Sequence, residues 1–254
     1  EASPRNFSSL RSVISGAAPM GPSRLDDLVK TFGPIFVQGY ASTETAMFVA
    51  VLDKADHRTD SERAIKRLSS AGRVTPGVEV FITDAEGSVL PTGQTGEIRI
   101  RCRALIQGYY GNPEGTAKEF EDDAWKSGDL GYLDEGGFLY IVDRLKDMII
   151  SGGFNVYAVE VEAALAKHPA VLMSAVVGVP HPDWGEAVHA EVMLRPGVSV
   201  TEKELMGHVK SQLGGYKAPK TLTFVENLPM SVVGKVLRRE LRDKYWRAAG
   251  RQVG

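Results

Sequence analysis

Four stretches of this 254-residue chain combine residue types that chemistry uses. The first is SGAAPM, residues 15–20, where Gly16, Ala17 and Ala18 put almost no side chain between a backbone and a flat ligand. Taken alone it also reads as a plain tight turn. The second is GYASTET, residues 39–45, which follows an apolar run at a place where open α/β sheets keep their ligand crevice. Tyr40 offers a stacking face, Thr43 a hydroxyl for a phosphate oxygen, and Glu44 a hard carboxylate suited to Mg²⁺. The competing reading is a helix N-terminus capped by Ser42 or Thr43. The third is the block from Trp125 to Glu162. Asp129 lies there in a glycine-flanked turn, and its carboxylate can accept both hydroxyls of a ribose. Arg144 can fork onto the same sugar or onto a phosphate. Gly152 and Gly153 allow close approach of a thin chain such as a pantetheine arm. Singly, Asp129 and Arg144 read as a turn aspartate and a surface arginine. The fourth is LPMSVVGKVLRREL, residues 228–241, which places Lys235 in a Gly-Lys loop before a helix. A lysine so placed can deliver positive charge to a transferring phosphoryl group, although a lone Gly-Lys is commonly a solvated turn. The upstream glycine of a P-loop is missing.

These residues need elements to position them. Residues 10–39 read as strand, helix, strand, with Pro22 and Ser23 starting the helix and Leu25, Leu28, Val29 and Phe32 at helical spacing. Residues 53–70 are polar and read as a solvated loop or an exposed helix. From 72 to 142, VEVFITD, GEIRIR and FLYIVD are strand-like and separated by turn material, which predicts an antiparallel β region. Beyond residue 145 the pattern alternates again. DMIIS, VLMSAVVGV, AVHAEVML and LTFVENL read as strands; YAVEVEAALAKHP, TEKELMGHVKSQLGG and LRRELRDKYW read as helices. The chain thus reads as two α/β modules joined by a short charged hinge at 143–147, with no internal repeat.

Composition narrows the field. Lys plus Arg number 30 against 32 Asp plus Glu, a net charge of −2, which argues against a nucleic-acid partner held by a large basic excess. No apolar run approaches the ~20 residues of a membrane span. A single cysteine, Cys102, excludes an internal disulfide and favours the cytoplasm. His168, His181 and Cys102 have no partner pattern for metal or nucleophilic chemistry. Glycine is in surplus, 27 residues, and much of it falls inside the four stretches or at turns.

In their order and spacing the four stretches resemble the adenylate-forming superfamily of acyl-CoA synthetases, peptide-synthetase adenylation domains and luciferases. The resemblance runs from about Leu10 to Trp246. It implies an α/β (α+β) fold in which residues 1–145 are the C-terminal portion of a large domain, a parallel sheet plus an antiparallel β-barrel-like region. Residues 146–254 are then a small mobile α+β domain, with Lys146 as the hinge. It further implies that Gly16, Ala17, Ala18, Tyr40, Thr43, Asp129 and Arg144 bind the nucleotide, that Glu44 holds Mg²⁺, and that Lys235, Thr43 and Glu44 are catalytic. Gly152, Gly153, Trp184, Lys217 and Lys220 fall to coenzyme A, and Ala17, Ala41 and Met47 to the acyl pocket. Ala41 stands where the family has Gly, so an added methyl group can reshape that pocket.

HPDWGEAVHAEVML and MIISGGFNVYAVEVE look like the acyl-CoA ligase branch. The implied activity is ATP-dependent, AMP-forming conversion of a small-molecule acid, a fatty acid first and an aryl acid second, to its coenzyme A thioester. A non-catalytic nucleotide- or CoA-binding module is the reading from another class. The family's Ser/Thr/Gly-rich phosphate loop has no counterpart here and the chain begins at Glu1. The expectation is therefore a piece of a longer enzyme, inactive in adenylation by itself, with exposed apolar surface that can support a homo-oligomer.

Overall fold

A computed structural model of the chain describes residues 7–16, 22–58, 60–231 and 234–248. The chain divides into two compact units, Glu1–Val142 and Asp143–Gly254.

The first unit opens with strand β1 (Val13–Gly16), helix α1 (Pro22–Phe32) and strand β2 (Phe36–Ala41). β1 and β2 pair in parallel, Val13 with Phe36 through Gly16 with Gly39. β3 (Phe48–Leu52), helix α2 (Glu62–Arg67), β4 (Gly72–Val74), β5 (Val78–Thr83) and β6 (Gly96–Cys102) follow. After them come helix α3 (Pro113–Glu119), β7 (Phe120–Glu121), β8 (Ala124–Leu133) and β9 (Phe138–Arg144). All join one sheet in the order β1-β2-β3-β4-β9-β8-β6-β5, with β7 on β8. The αβ opening and the β-rich stretch after residue 72 are therefore continuous. Alternation along β9 sends Phe138 and Tyr140 to a cluster with Leu25, Phe36, Leu52 and Leu68, and Leu139 to one with Val49, Ile98, Ile100 and Trp125. The polar 53–70 segment carries α2, whose first turn is capped by the Ser61 hydroxyl accepting from Ala64 N at 3.2 Å. Its apolar residues Ala64 and Leu68 anchor it to the core.

The second unit holds β10 (Ile149–Ser151), β11 (Phe154–Val156), helix α4 (Ala158–Ala166), β12 (Val171–His181) and β13 (Gly185–Leu194). Helix α5 (Glu202–Leu213), β14 (Thr221–Phe224) and helix α6 (Arg238–Ala248) complete it. Its sheet runs β11-β10-β13-β12, with β14 parallel to β13. The long β12–β13 hairpin has two dressed faces. Val176, Val188, Ala190 and Val192 pack under α4 and α5, while Ala175 and Val177 pack with Leu228 and Leu241 under α6. α5 begins at a capping box of Thr201 and Glu204 and ends at Gly214, φ +83°. Twelve residues make a marginal helix alone, but Leu205 and Val209 are fully buried. At about 1.5–3 kcal/mol each, that burial holds it in place. Among the described residues no helix is long and apolar enough to cross a membrane.

Candidate functional site

Asp129 does not sit in a turn; it lies inside β8, at an irregularity of the ladder. Opposite it β6 advances from Glu97 to Arg99 while β8 runs from Leu130 back to Lys126, so β8 carries extra residues there. Gly128, at φ +66°, supplies the left-handed step. The Ser127 hydroxyl donates to Ile98 O at 2.6 Å and accepts from Asp129 N at 3.1 Å. Ser127 thus pins the bulge, Gly128 bends it, and Asp129 is the side chain it presents. Tyr40, from β2, donates its hydroxyl to Asp129 Oδ2 at 2.6 Å, so the second and third predicted stretches meet.

After β2 the chain does not enter a helix, so Ser42 and Thr43 cap none. It turns over residues 43–45 and returns as β3. Thr45, fully buried, closes this turn: its hydroxyl contacts Ser42 O at 3.1 Å and Met47 O at 3.0 Å. Ala46 takes φ +51° to complete the reversal. Thr43 is left exposed and Glu44 half-buried. Ile106 N donates to Glu44 O at 2.9 Å. The Tyr109 hydroxyl lies 2.9 Å from Glu44 Oε1 and 2.5 Å from Glu119 Oε2, with Trp125 Nε1 reaching Glu119 at 3.4 Å. Burial, and then the two carboxylates, push the Tyr109 hydroxyl well above the usual phenol range. Its ring is set edge-on to Phe120 at 5.9 Å. The sequence reading missed Tyr109 and Glu119; the signal was Asn112-Pro113, a helix start whose Asn112 side chain accepts from Gly115 N.

Glu44 and Thr43 offer hard oxygen donors, the kind Mg²⁺ takes. Among the described residues no three His, Cys, Asp or Glu side chains converge into a metal cage. That donor set fits an ion held by one or two carboxylates, with waters and substrate phosphates completing its shell. Ala17 and Ala18 lie outside the described residues. Ala41 ends β2, paired with Phe48, and Met47 packs against the cluster around Val49 and Trp125. At Gly39, beside Gly16, a Cβ would come 2.3 Å from the Phe48 ring, which would have to shift. A cavity of about 500 Å³ near Lys66 and Tyr140 contains none of the predicted residues.

In the second unit, Gly152 and Gly153 take φ +59° and +83°. Gly152 N donates to Trp184 O at 3.0 Å, and Lys220 Nζ stands 5.4 Å from the centre of the Trp184 ring. His181 stacks on the same indole at 4.3 Å. Four of the five residues assigned to coenzyme A therefore cluster. Lys217 instead binds Glu160 at 2.6 Å. Lys235 lies in a narrow reversal: Ser231 N donates to Lys235 O at 2.7 Å and Lys235 N to Ser231 Oγ at 3.1 Å, with Gly234 at φ +77°. Arg144 ends β9, its amide donating to the buried Asp143 carboxylate at 2.8 Å. Lys146 lies in a 3₁₀ turn, Leu145–Asp147.

The bulge, the turn and the Gly-Lys reversal lie on folds that match known enzymes. Residues 1–110 match the AMP-binding enzyme family and residues 160–235 the AMP-binding enzyme C-terminal domain. The chain belongs to these adenylate-forming, AMP-binding enzymes. It is 41% identical to the medium/long-chain-fatty-acid–CoA ligase FadD8 of Mycobacterium tuberculosis, over 98% of this chain and 44% of that protein. It is 39% identical to a feruloyl-CoA synthase from an Amycolatopsis species, over 94% of this chain and 47% of the other. It superposes on the amide bond synthetase McbA from Marinactinospora thermotolerans with a TM-score of 0.86 and 38% identity, covering 94% of this chain and 48% of that one. The chain spans about half the length of the curated relatives it matches.

Proposed function

We propose that this chain serves an acid–CoA ligase: ATP and a carboxylic acid give an acyl-adenylate and pyrophosphate, and the thiol of coenzyme A then displaces AMP to give the thioester. The observation that carries this reading is the meeting of Tyr40 and Asp129 at 2.6 Å. It brings a carboxylate beside an aromatic ring from two stretches far apart in sequence.

In this mechanism Asp129 accepts the ribose hydroxyls and Tyr40 stacks on the base, with Gly16, Ala17 and Ala18 also given to nucleotide binding. Thr43 donates to a phosphate oxygen and Arg144 adds a fork of positive charge. Glu44 holds Mg²⁺, which when bound neutralises charge on the phosphates. Lys235 stabilises the negative charge that builds on the α-phosphate oxygens as the carboxylate attacks. The small domain then turns about Lys146, removing Lys235 and presenting Gly152 and Gly153 to the pantetheine arm, with Trp184, Lys217 and Lys220 toward the nucleotide end of coenzyme A. Ala41, Met47 and Ala17 line the acyl side. The acid is fatty, a choice supported by the identity to FadD8. An aryl acid is the second reading, supported by the nearly equal identity to a feruloyl-CoA synthase.

The test is run on this chain and on any longer polypeptide that carries it. Titration with AMP and with coenzyme A reads binding; acid-dependent ATP–pyrophosphate exchange and thioester formation from supplied acyl-adenylate read the two half-reactions. Lys235→Ala is expected to lower exchange by about a hundredfold or more and to leave the second half-reaction largely intact. Binding without either half-reaction in any such polypeptide would make this a binding module, and equal loss in both would overturn the division of labour.

A further inference from the structure

Helix α6 starts three residues after Lys235 and sends two arginines, one turn apart, to the segment around Lys146. Arg242 donates from Nη1 to Lys146 O at 3.0 Å and from Nη2 to Glu186 Oε1 at 2.7 Å. The other oxygen of Glu186 accepts from Ile150 N at 3.0 Å. The stem of this network is fixed as well: the Arg242 guanidinium lies over the Trp246 ring at 5.2 Å, and Trp246 Nε1 donates to Gly178 O at 3.0 Å. Arg238 forks onto Glu162, which is itself held by Val176 N at 2.9 Å, and lies 3.8 Å from Asp147. At its other end α6 is continuous with the Lys235 reversal, where Leu237 N donates to Pro229 O at 2.8 Å and Met230 bridges Val236.

We propose that Arg242 is a positioning residue that latches the hinge, and that α6 carries the Lys235 loop and the Lys146 backbone as one body. This rests on the roles given above to Lys235 and Lys146. A hinge works by changing the backbone angles of one or two residues, and a charged donor on the carbonyl of such a residue favours the arrangement it fits. The fork geometry matters: a guanidinium reaches two acceptors in one plane, whereas an ammonium serves them from a point. Arg242 is therefore not replaceable by Lys at this place. Because Glu186 joins the latch to Ile150, the segment on both sides of Met148 is held from α6 in addition to its own short turn, where Met148 N donates to Arg144 O at 3.1 Å.

Hydrogen exchange read by mass spectrometry on the full chain tests the latch directly. In Arg242→Ala the amides of Met148 and Ile150 are expected to exchange about tenfold faster, with β6, β8 and the central part of β12 unchanged. Arg242→Lys keeps a partner for Glu186, so Ile150 stays protected while Met148 does not. In the enzyme carrying Arg242→Ala, the ratio of adenylate formation to thioester formation is expected to shift by about tenfold. Unchanged exchange at Met148, or faster exchange spread equally over β12 and β13, overturns the latch. An exchange response with an unmoved ratio of two running half-reactions overturns its link to Lys235. An exchange response in an enzyme with neither half-reaction removes the ligase reading and with it the role of Arg242 as a positioning residue.

Discussion

The Tyr40 hydroxyl donates to Asp129 at 2.6 Å, between residues 89 positions apart in the chain. The carboxylate proposed for a ribose is thereby already aimed and partly occupied before any nucleotide arrives. Asp129→Ala is expected to weaken AMP binding about tenfold or more, the size of a lost hydrogen bond to a charged group. Tyr40→Phe keeps the ring face and removes a competitor for the carboxylate, so it is expected to weaken binding far less. Titration calorimetry with AMP checks both, and equal losses would place the binding energy elsewhere.

Tyr109 stands between Glu44 and Glu119. Tyr109→Phe leaves the ring against Phe120 and deletes the hydroxyl, so the fold is expected to survive with a melting point within a few degrees. The two carboxylates lose the group between them, and Glu44 loses its side-chain partner. The expected result is about a tenfold rise in the Mg²⁺ concentration needed for half-maximal exchange. Binding of Mn²⁺ with ATP, followed by magnetic resonance, should weaken in parallel. Glu44→Ala is the comparison: if it weakens the metal and Tyr109→Phe does not, Tyr109 has no part in holding Glu44.

The pH dependence of stability follows from what is buried. Burial lowers the pKa of His189, whose Nδ1 lies 2.7 Å from Thr221 Oγ1, and of His57. The unfolded chain then binds protons more readily, so stability is full above about pH 6.5 and declines as the pH falls below it. At the alkaline end burial pushes Tyr140 up to about 12. Its contribution is full below about pH 10 and fades as the pH rises through the folded value. Urea midpoints between pH 5 and 8 should fall toward acid, and His189→Asn should flatten that slope. A slope untouched by the substitution would assign it to other groups.

Two glycines separate steric need from backbone strain. At Gly72, φ +102°, a Cβ would lie 1.9 Å from the carbonyl carbon of Val51; at Gly77, φ +85°, it would meet nothing within 4 Å. Gly77→Ala bears strain alone and is expected to cost about 1 kcal/mol. Gly72→Ala must also push β3 from β4 and is expected to cost about 3 kcal/mol or more. Denaturant unfolding of the two variants checks the order, and similar losses would show that β3 yields easily.

The fold class and most of the strands and helices were legible in the sequence, and the side-chain partners of the candidate residues were not. Motif order alone pointed to Tyr40, Asp129 and Lys235, because short polar-glycine stretches can be read without knowing what surrounds them. β3 escaped notice although FVAVL is a plain apolar run, because the preceding STET read equally as a helix cap; the buried hydroxyl of Thr45 decides for a turn. Asp129 reads as a turn residue because a bulge uses turn chemistry within a strand. Lys217 and Lys220 look alike in GGYKAPK, yet Glu160 claims one and Trp184 receives the other, and such pairings come from tertiary structure alone. Tyr109 and Glu119 meet Glu44 across the sheet with no motif linking them.

The Ser127–Asp129 bulge limits how this stretch of gene can drift. Point substitutions there trade one contact for another, but loss of a single codon shifts β8 by one residue against β6. Every later side chain would then change faces. Trp125 and Leu130, both buried now, could not both stay inward. The number of residues in Ser-Gly-Asp is therefore set by the sheet, separately from what their side chains do.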